Sequence, residues 1–184
     1  MSNSIDYTVE GAIENAELRH YPPMVLVTVQ GMADNEAFRI LFRYISGNNR
    51  TVTKVPMTVP VISTRQRIAM TAPVVSDRES FSFVLPPSYT IDTSPLPLDP
   101  RSTLESLPER WVAALRFHGT AGAEAVAAKS RELRDILARH EILTKGGPFL
   151  MRYNAPFTPG FLRRNEVGIE LVAPSTLRLR STDE

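Results

Sequence analysis

The feature that most constrains this chain is an order of periodicities that occurs twice. In the first half, residues 17–21 and 24–30 carry strand patterns separated by Pro22-Pro23, whose fixed φ and missing amide hydrogens force a turn. Val25, Val27 and Val29 take one face of the second strand and Thr28 and Gln30 the other, the pattern of a half-buried strand. After Gly31, Asp34 is placed to cap a helix in which Phe38, Leu41, Phe42 and Ile45 recur at helical spacing while Arg39 and Arg43 face outward. Ser46-Gly47-Asn48-Asn49 stops it, Gly47 being suited to the left-handed cap. Phe81, Phe83 and Leu85 then alternate in the last strand of this half.

The second half runs through the same series. A turn at Leu107-Pro108-Glu109-Arg110 precedes alternating Trp111, Ala113, Leu115 and Phe117. A helix beginning near Thr120 carries Val126, Leu133, Ile136, Leu137 and His140 on its apolar side. Gly146-Gly147 close the connection to a strand with Phe149, Met151 and Tyr153 on one face, and Val167, Ile169 and Leu171 alternate in the final strand. Two strand-strand-helix-strand-strand units in tandem predict a single α+β domain over residues 1–184: a curved, largely antiparallel sheet with two helices packed against it, internally duplicated about a pseudo-two-fold axis. The halves cover about 8–85 and 101–173, a Pro-rich connector covers 86–100, and 174–184 reads as a flexible, solvated tail.

One stretch stands apart. Lys54-Val55-Pro56-Met57-Thr58-Val59-Pro60-Val61 is echoed 13 residues later by Arg67-Ile68-Ala69-Met70-Thr71-Ala72-Pro73-Val74. As strands the copies place Val55, Met57, Val59 and Val61 on one face, and Ile68, Met70, Ala72 and Val74 likewise. With polar Ser63-Thr64-Arg65-Gln66 between them they predict a β-hairpin. Prolines 56, 60 and 73 cannot donate to a ladder, which confines this hairpin to a sheet edge or bulge and leaves room beside it for a groove.

Composition narrows the function. No cysteine is present, which excludes disulfides, thiolate catalysis, iron–sulfur clusters and cysteine-ligated zinc or haem. Only His20, His118 and His140 could supply imidazole. With 21 Lys and Arg against 20 Asp and Glu there is no global basic field, so nucleic acid is not an expected partner. The N-terminus lacks the basic start and apolar stretch of a signal peptide, and the longest apolar run, 24–29, is far shorter than the ~20 residues of a membrane span. A cytoplasmic protein without membrane insertion is the expectation. No Walker loop, dinucleotide fingerprint or Ser-His-Asp order is present, and Glu79, Glu105 and Glu166 cannot be paired from sequence into an acid–base site.

Several segments carry a resemblance. Glu17-Leu18-Arg19-His20-Tyr21-Pro22-Pro23, Ala37-Phe38, and Leu41-Phe42-Arg43-Tyr44-Ile45-Ser46-Gly47-Asn48-Asn49 match in the first half, together with the Lys/Arg-x-x-Met-Thr-x-Pro-Val pattern. In the second half, Arg152-Tyr153-Asn154-Ala155-Pro156-Phe157-Thr158-Pro159 and Arg163-Arg164-Asn165-Glu166-Val167 match, in the same order. Together they make the chain similar to the SOUL or haem-binding-protein family. The resemblance implies a distorted antiparallel β-barrel with two helices, and binding of haem or another tetrapyrrole. The doubled Met-Thr-x-Pro-Val departs from the single copy of many members.

A haem site needs an apolar slot, optionally an axial ligand, and bases for the propionates. By resemblance His20 is the candidate axial ligand and metal site; its strand parity also allows a surface or turn-packing role. His118 shares a face with Arg116 and reads as solvated, and His140 ends a helix where the dipole favours a protonated ring. Met57 and Met70 either fill the core, line the ligand groove, or coordinate through sulfur. Lys54, Arg65 and Arg67 flank the hairpin, either as a solvated edge or as partners of propionates. Arg163-Arg164-Asn165-Glu166 reads as a turn entering the last strand, with Asn165 and Glu166 bonding backbone amides.

The leading expectation is a non-catalytic haem or tetrapyrrole binder acting as buffer, carrier or sensor. One alternative is an effector-binding module of the gyrase-inhibitor-like type for apolar or cationic molecules, which the placement of Glu166 and Glu170 relative to the groove discriminates. An enzyme acting on tetrapyrroles is the third class.

Overall fold

The computed structural model describes residues 3–51, 65–154 and 157–173. Its elements in chain order are β1 (Asn3–Ser4), β2 (Thr8–Ile13), β3 (Ala16–Tyr21), β4 (Met24–Gln30), α1 (Asp34–Ile45), β5 (Asn49–Arg50), β6 (Thr71–Ala72), β7 (Val74–Ser76), β8 (Ser80–Val84), β9 (Leu96–Pro97), β10 (Ser102–Leu107), β11 (Arg110–His118), α2 (Ala123–Arg139), β12 (Thr144–Arg152), a 3-10 turn (Gly160–Leu162) and β13 (Arg164–Leu171). Nine strands form one sheet in the order β10-β4-β8-β7-β12-β13-β11-β3-β2, every pairing antiparallel. The sheet is curved and not closed, since β10 and β2 remain its two edges. No helix among the described residues is long and apolar enough to cross a membrane.

Both helices lie on one face of the sheet and bury the predicted alternating residues. Val25, Val27, Val29, Phe81 and Phe83 pack with Ala37, Ile40, Leu41, Tyr44 and Ile45 of α1. Leu18, Ala113, Leu115, Phe117, Val167 and Ile169 pack with Leu133 and Leu137 of α2. The opposite strand parity is also buried: Arg19, Tyr21, Leu26, Val84, Val112, Ala114, Met151 and Glu166 are inaccessible. The curled sheet therefore holds a second interior, and that interior is partly polar.

Several local expectations are corrected. Asp34 is the first residue of α1 and forms no side-chain cap; with Glu36 it places acidic charge in the first turn. Phe42 is exposed although it sits at helical spacing, because Ile40 and Tyr44 take the buried arc in its place. The second helix starts at Ala123 and not near Thr120. Gly146 and Gly147 lie inside β12, where the register against β13 shifts between Lys145 and Phe149 and Gly146 adopts φ 77°.

The second Met-Thr-x-Pro-Val copy is not one continuous strand. Thr71–Ala72 pairs with Asn3–Ser4 outside the main sheet, and Val74–Ser76 is an interior strand between β8 and β12, so Pro73 precedes a central strand and marks no edge. Ile68 and Val74 enter the α1 core, but Met70 is exposed, breaking the expected alternation. The first copy, with Lys54 and Met57, lies outside the described residues, and so does most of the predicted hairpin.

Candidate functional site

A cavity of about 550 Å³ opens on the helix face where the two halves meet. The first turns of α1 supply Asp34, Asn35, Phe38 and Arg39, and the approach to α2 supplies Thr120 and Ala121. The floor is made by Met70, Val74 and Phe81, and the far wall by Arg152, Asn154, Arg163 and Asn165. Aromatic packing fixes the apolar side: Phe38 meets Phe83 edge-on at 5.4 Å and stacks on Phe42 at 5.9 Å.

Hydrogen bonds fix the polar wall. Arg152 donates from Nη1 to Ser76 Oγ at 2.8 Å and from Nη2 to Asp34 Oδ2 at 2.7 Å, with its guanidinium 5.9 Å from the Phe81 ring. Asn165 donates to the Gly119 carbonyl at 2.8 Å, and Asn154 accepts from the Arg164 amide at 2.6 Å. Arg163 Nε donates to the Thr158 carbonyl at 2.7 Å. A Cβ on Gly160 would lie 3.1 Å from Thr120 Oγ1, so the loop before β13 packs closely on the turn before α2. Three arginines against one aspartate give the cavity a basic rim around an apolar floor.

The sequence-predicted site residues are dispersed. Met70 lines the cavity. His20 does not: its ring lies 5.0 Å from Trp111 and its Nε2 3.5 Å from a Glu109 carboxylate oxygen. Arg67 and Arg65 face a separate recess at the other end of α1. His140 Nε2 stands 3.2 Å from Glu14 Oε1. Phe157 is 89% exposed. Among the described residues no group of three or more His, Asp or Glu could hold a metal ion. In the sequence, Phe38, Phe81 and Arg152 are core or motif positions; their convergence depends on the sheet order β8-β7-β12, which local periodicity does not encode.

Glu166 is not a turn residue bonding amides. It is fully buried on the sheet face away from the helices, where Tyr153 Oη donates to it at 2.7 Å, Arg164 at 2.7 Å, Arg19 Nη2 at 3.0 Å and Arg116 at 3.3 Å. Burial would raise its pKa, but the donors from Arg19, Tyr153 and Arg164 outweigh it and hold the carboxyl down to about 2. Burial, with Tyr21 and Glu166 nearby, pushes the Tyr153 hydroxyl up. Arg19 Nη1 also donates to Tyr21 Oη at 3.2 Å, and its guanidinium lies 4.3 Å from the centre of the Tyr7 ring. Glu170 is met by Arg110 at 3.7 Å and Lys145 at 3.4 Å. Neither Glu166 nor Glu170 lines the cavity.

Known proteins agree with this architecture. The C-terminal domain of EcmrR superposes with a TM-score of 0.55 at 10% identity, covering 90% of this chain and 98% of that one. A hydrolase from Listeria innocua superposes with a TM-score of 0.52 at 14% identity, covering 89% of this chain and 94% of that one. At such identities the likeness is one of fold alone. No curated protein matches in sequence. The model of the SOUL heme-binding protein family matches residues 2–170. The chain therefore belongs to the SOUL heme-binding protein family.

Proposed function

We propose that the protein reversibly binds haem or a related tetrapyrrole in the cavity between its helices, as a buffer, carrier or sensor. The observation that carries this is the combination of an apolar floor with a basic rim in a space of about 550 Å³, within the range of small-molecule sites. A tetrapyrrole macrocycle is flat and apolar and carries carboxylates at its edge. Phe38, Met70, Val74 and Phe81 suit the ring, and Arg39, Arg152 and Arg163 suit the carboxylates. Met70 is the one sulfur or imidazole donor among the described lining residues, so its thioether would be the lining group able to meet a bound haem iron, whereas His20 lies outside the cavity. When bound, haem would bring its own iron chemistry; the residues here hold and orient it.

A cationic ligand is less well served. It needs an available carboxylate, and the one in the lining, Asp34, is paired with Arg152. Titration of the purified protein with haemin tests the proposal. A saturable Soret shift at micromolar haemin, one ring per chain, is expected; absence of saturation sinks it.

A further inference from the structure

The second recess, about 500 Å³, lies at the C-terminal end of α1 and is lined by Arg43, Ser46, Gly47, Asn48, Arg65 and Arg67. A helix of 12 residues is about 18 Å long, so this recess is separate from the cavity at the other end of α1. Its backbone is fixed. Buried Asn49 donates to the carbonyls of Tyr44 at 2.7 Å and Gln66 at 2.8 Å and accepts from the Gln66 amide at 3.0 Å. The Ile68 amide adds a bond to the Ile45 carbonyl at 2.8 Å. Arg65 and Arg67 flank the clamped Gln66 and join Arg43 from the last helical turn.

Arginines near a helix C-terminus often serve its free carbonyls. Here those carbonyls are taken: Phe42 accepts from Ser46 at 3.0 Å, Arg43 from Asn48 at 2.9 Å, Tyr44 from Gly47 at 3.2 Å and Ile45 from Ile68. The three guanidiniums form no ion pair among the described residues. Asp99, which feels the charge of Arg43, is already gripped by Arg101 at 2.8 and 2.9 Å. Three like charges line one recess on a fixed backbone, with the last carbonyls of α1 already taken and Asp99 already held by Arg101, and they lack an anion of their own. We infer that this recess is a binding site for a multiply charged phosphate group, gripped by Arg43, Arg65 and Arg67. Guanidinium forks match phosphate oxygens in pairs, and the Ser46 hydroxyl can donate beside them.

Calorimetric titration with inorganic pyrophosphate at low salt tests the site, with vesicles containing a phosphorylated inositol lipid as a second arm. The triple variant Arg43→Gln, Arg65→Gln, Arg67→Gln changes only exposed side chains, and Arg134→Gln on α2 controls for net charge. Saturable pyrophosphate binding that weakens about tenfold or more in the triple variant, and little in Arg134→Gln, is expected. Saturable vesicle binding with the same loss, without pyrophosphate binding, assigns the phosphate to a lipid headgroup. Equal affinity in wild type and triple variant, or no saturable binding in either arm, overturns the inference. Haemin binding is expected to persist in the triple variant, so the two sites fail independently.

Discussion

Arg19 and Glu166, 147 residues apart in sequence, meet across β11 with both side chains sealed from solvent. They lie on the sheet face away from the helices, with Glu166 serving Tyr153, Arg164 and Arg116 as well. The pair joins β3 in one half to β13, the last strand of the other.

Removing the charge at its centre takes away the carboxylate shared by Arg19, Arg164 and Tyr153, and leaves the Arg19 guanidinium with Glu17 alone at 2.6 Å. Glu166→Gln is expected to lower unfolding free energy by about 3 kcal/mol, measured by chemical denaturation, because breaking one partner of a buried pair costs more than the pair contributes. An effect no larger than that of an ordinary surface substitution would show that the cluster is not a structural clasp.

Acid should reveal the same group. Its folded pKa of about 2 lies below the ordinary 4.5. A depressed folded value gives stability that is complete above the unfolded pKa and is lost as pH falls towards the folded one. Roughly 3 kcal/mol is therefore expected to disappear between about pH 4.5 and pH 2 in the wild type. In Glu166→Gln the stability curve should be flatter over that window.

Gly168 of β13 faces the same interior, where a Cβ would lie 2.7 Å from two ring carbons of Phe149 and 3.1 Å from Met151 Cε. The ring is held under Arg110, 5.1 Å away. Gly168→Ala is expected to destabilise by about 1–3 kcal/mol in thermal or chemical denaturation through overpacking.

The Arg152–Asp34 pair at the cavity mouth predicts opposite signs for its two partners. Arg152→Gln removes a cation and leaves Asp34 to repel the ring carboxylates, weakening haemin binding by about two- to fivefold. Asp34→Asn frees Arg152 and is expected to strengthen it by a similar factor. Equal directions would place the carboxylates elsewhere. Met70→Ala should shift the Soret band, whereas His20→Ala, altered outside the cavity, should leave it in place.

Much of the fold was legible because its cores are periodic. Val25, Val27 and Val29, and Ala113, Leu115 and Phe117, alternate in sequence and are buried together under their helices. β2 was not legible: Thr8–Ile13 mixes polarity, contains Gly11, and changes register between Val9 and Gly11. The candidate site was less legible than the fold. Met70 was found through its motif, but Phe38, Phe81 and Arg152 converge only through long-range strand order. Glu166 stands out in the sequence, but its role as a clasp is not legible there, because its partners Arg19 and Tyr153 come from other strands and no local spacing announces them.

The most direct test is to fill the cavity and titrate with haemin. Asn35 lies exposed on the first turn of α1 in the cavity wall, so Asn35→Trp occludes the opening without touching either core. The account predicts saturable micromolar haemin binding in the wild type and a loss of about tenfold or more in a folded Asn35→Trp protein. Unchanged haemin affinity in that variant would contradict it.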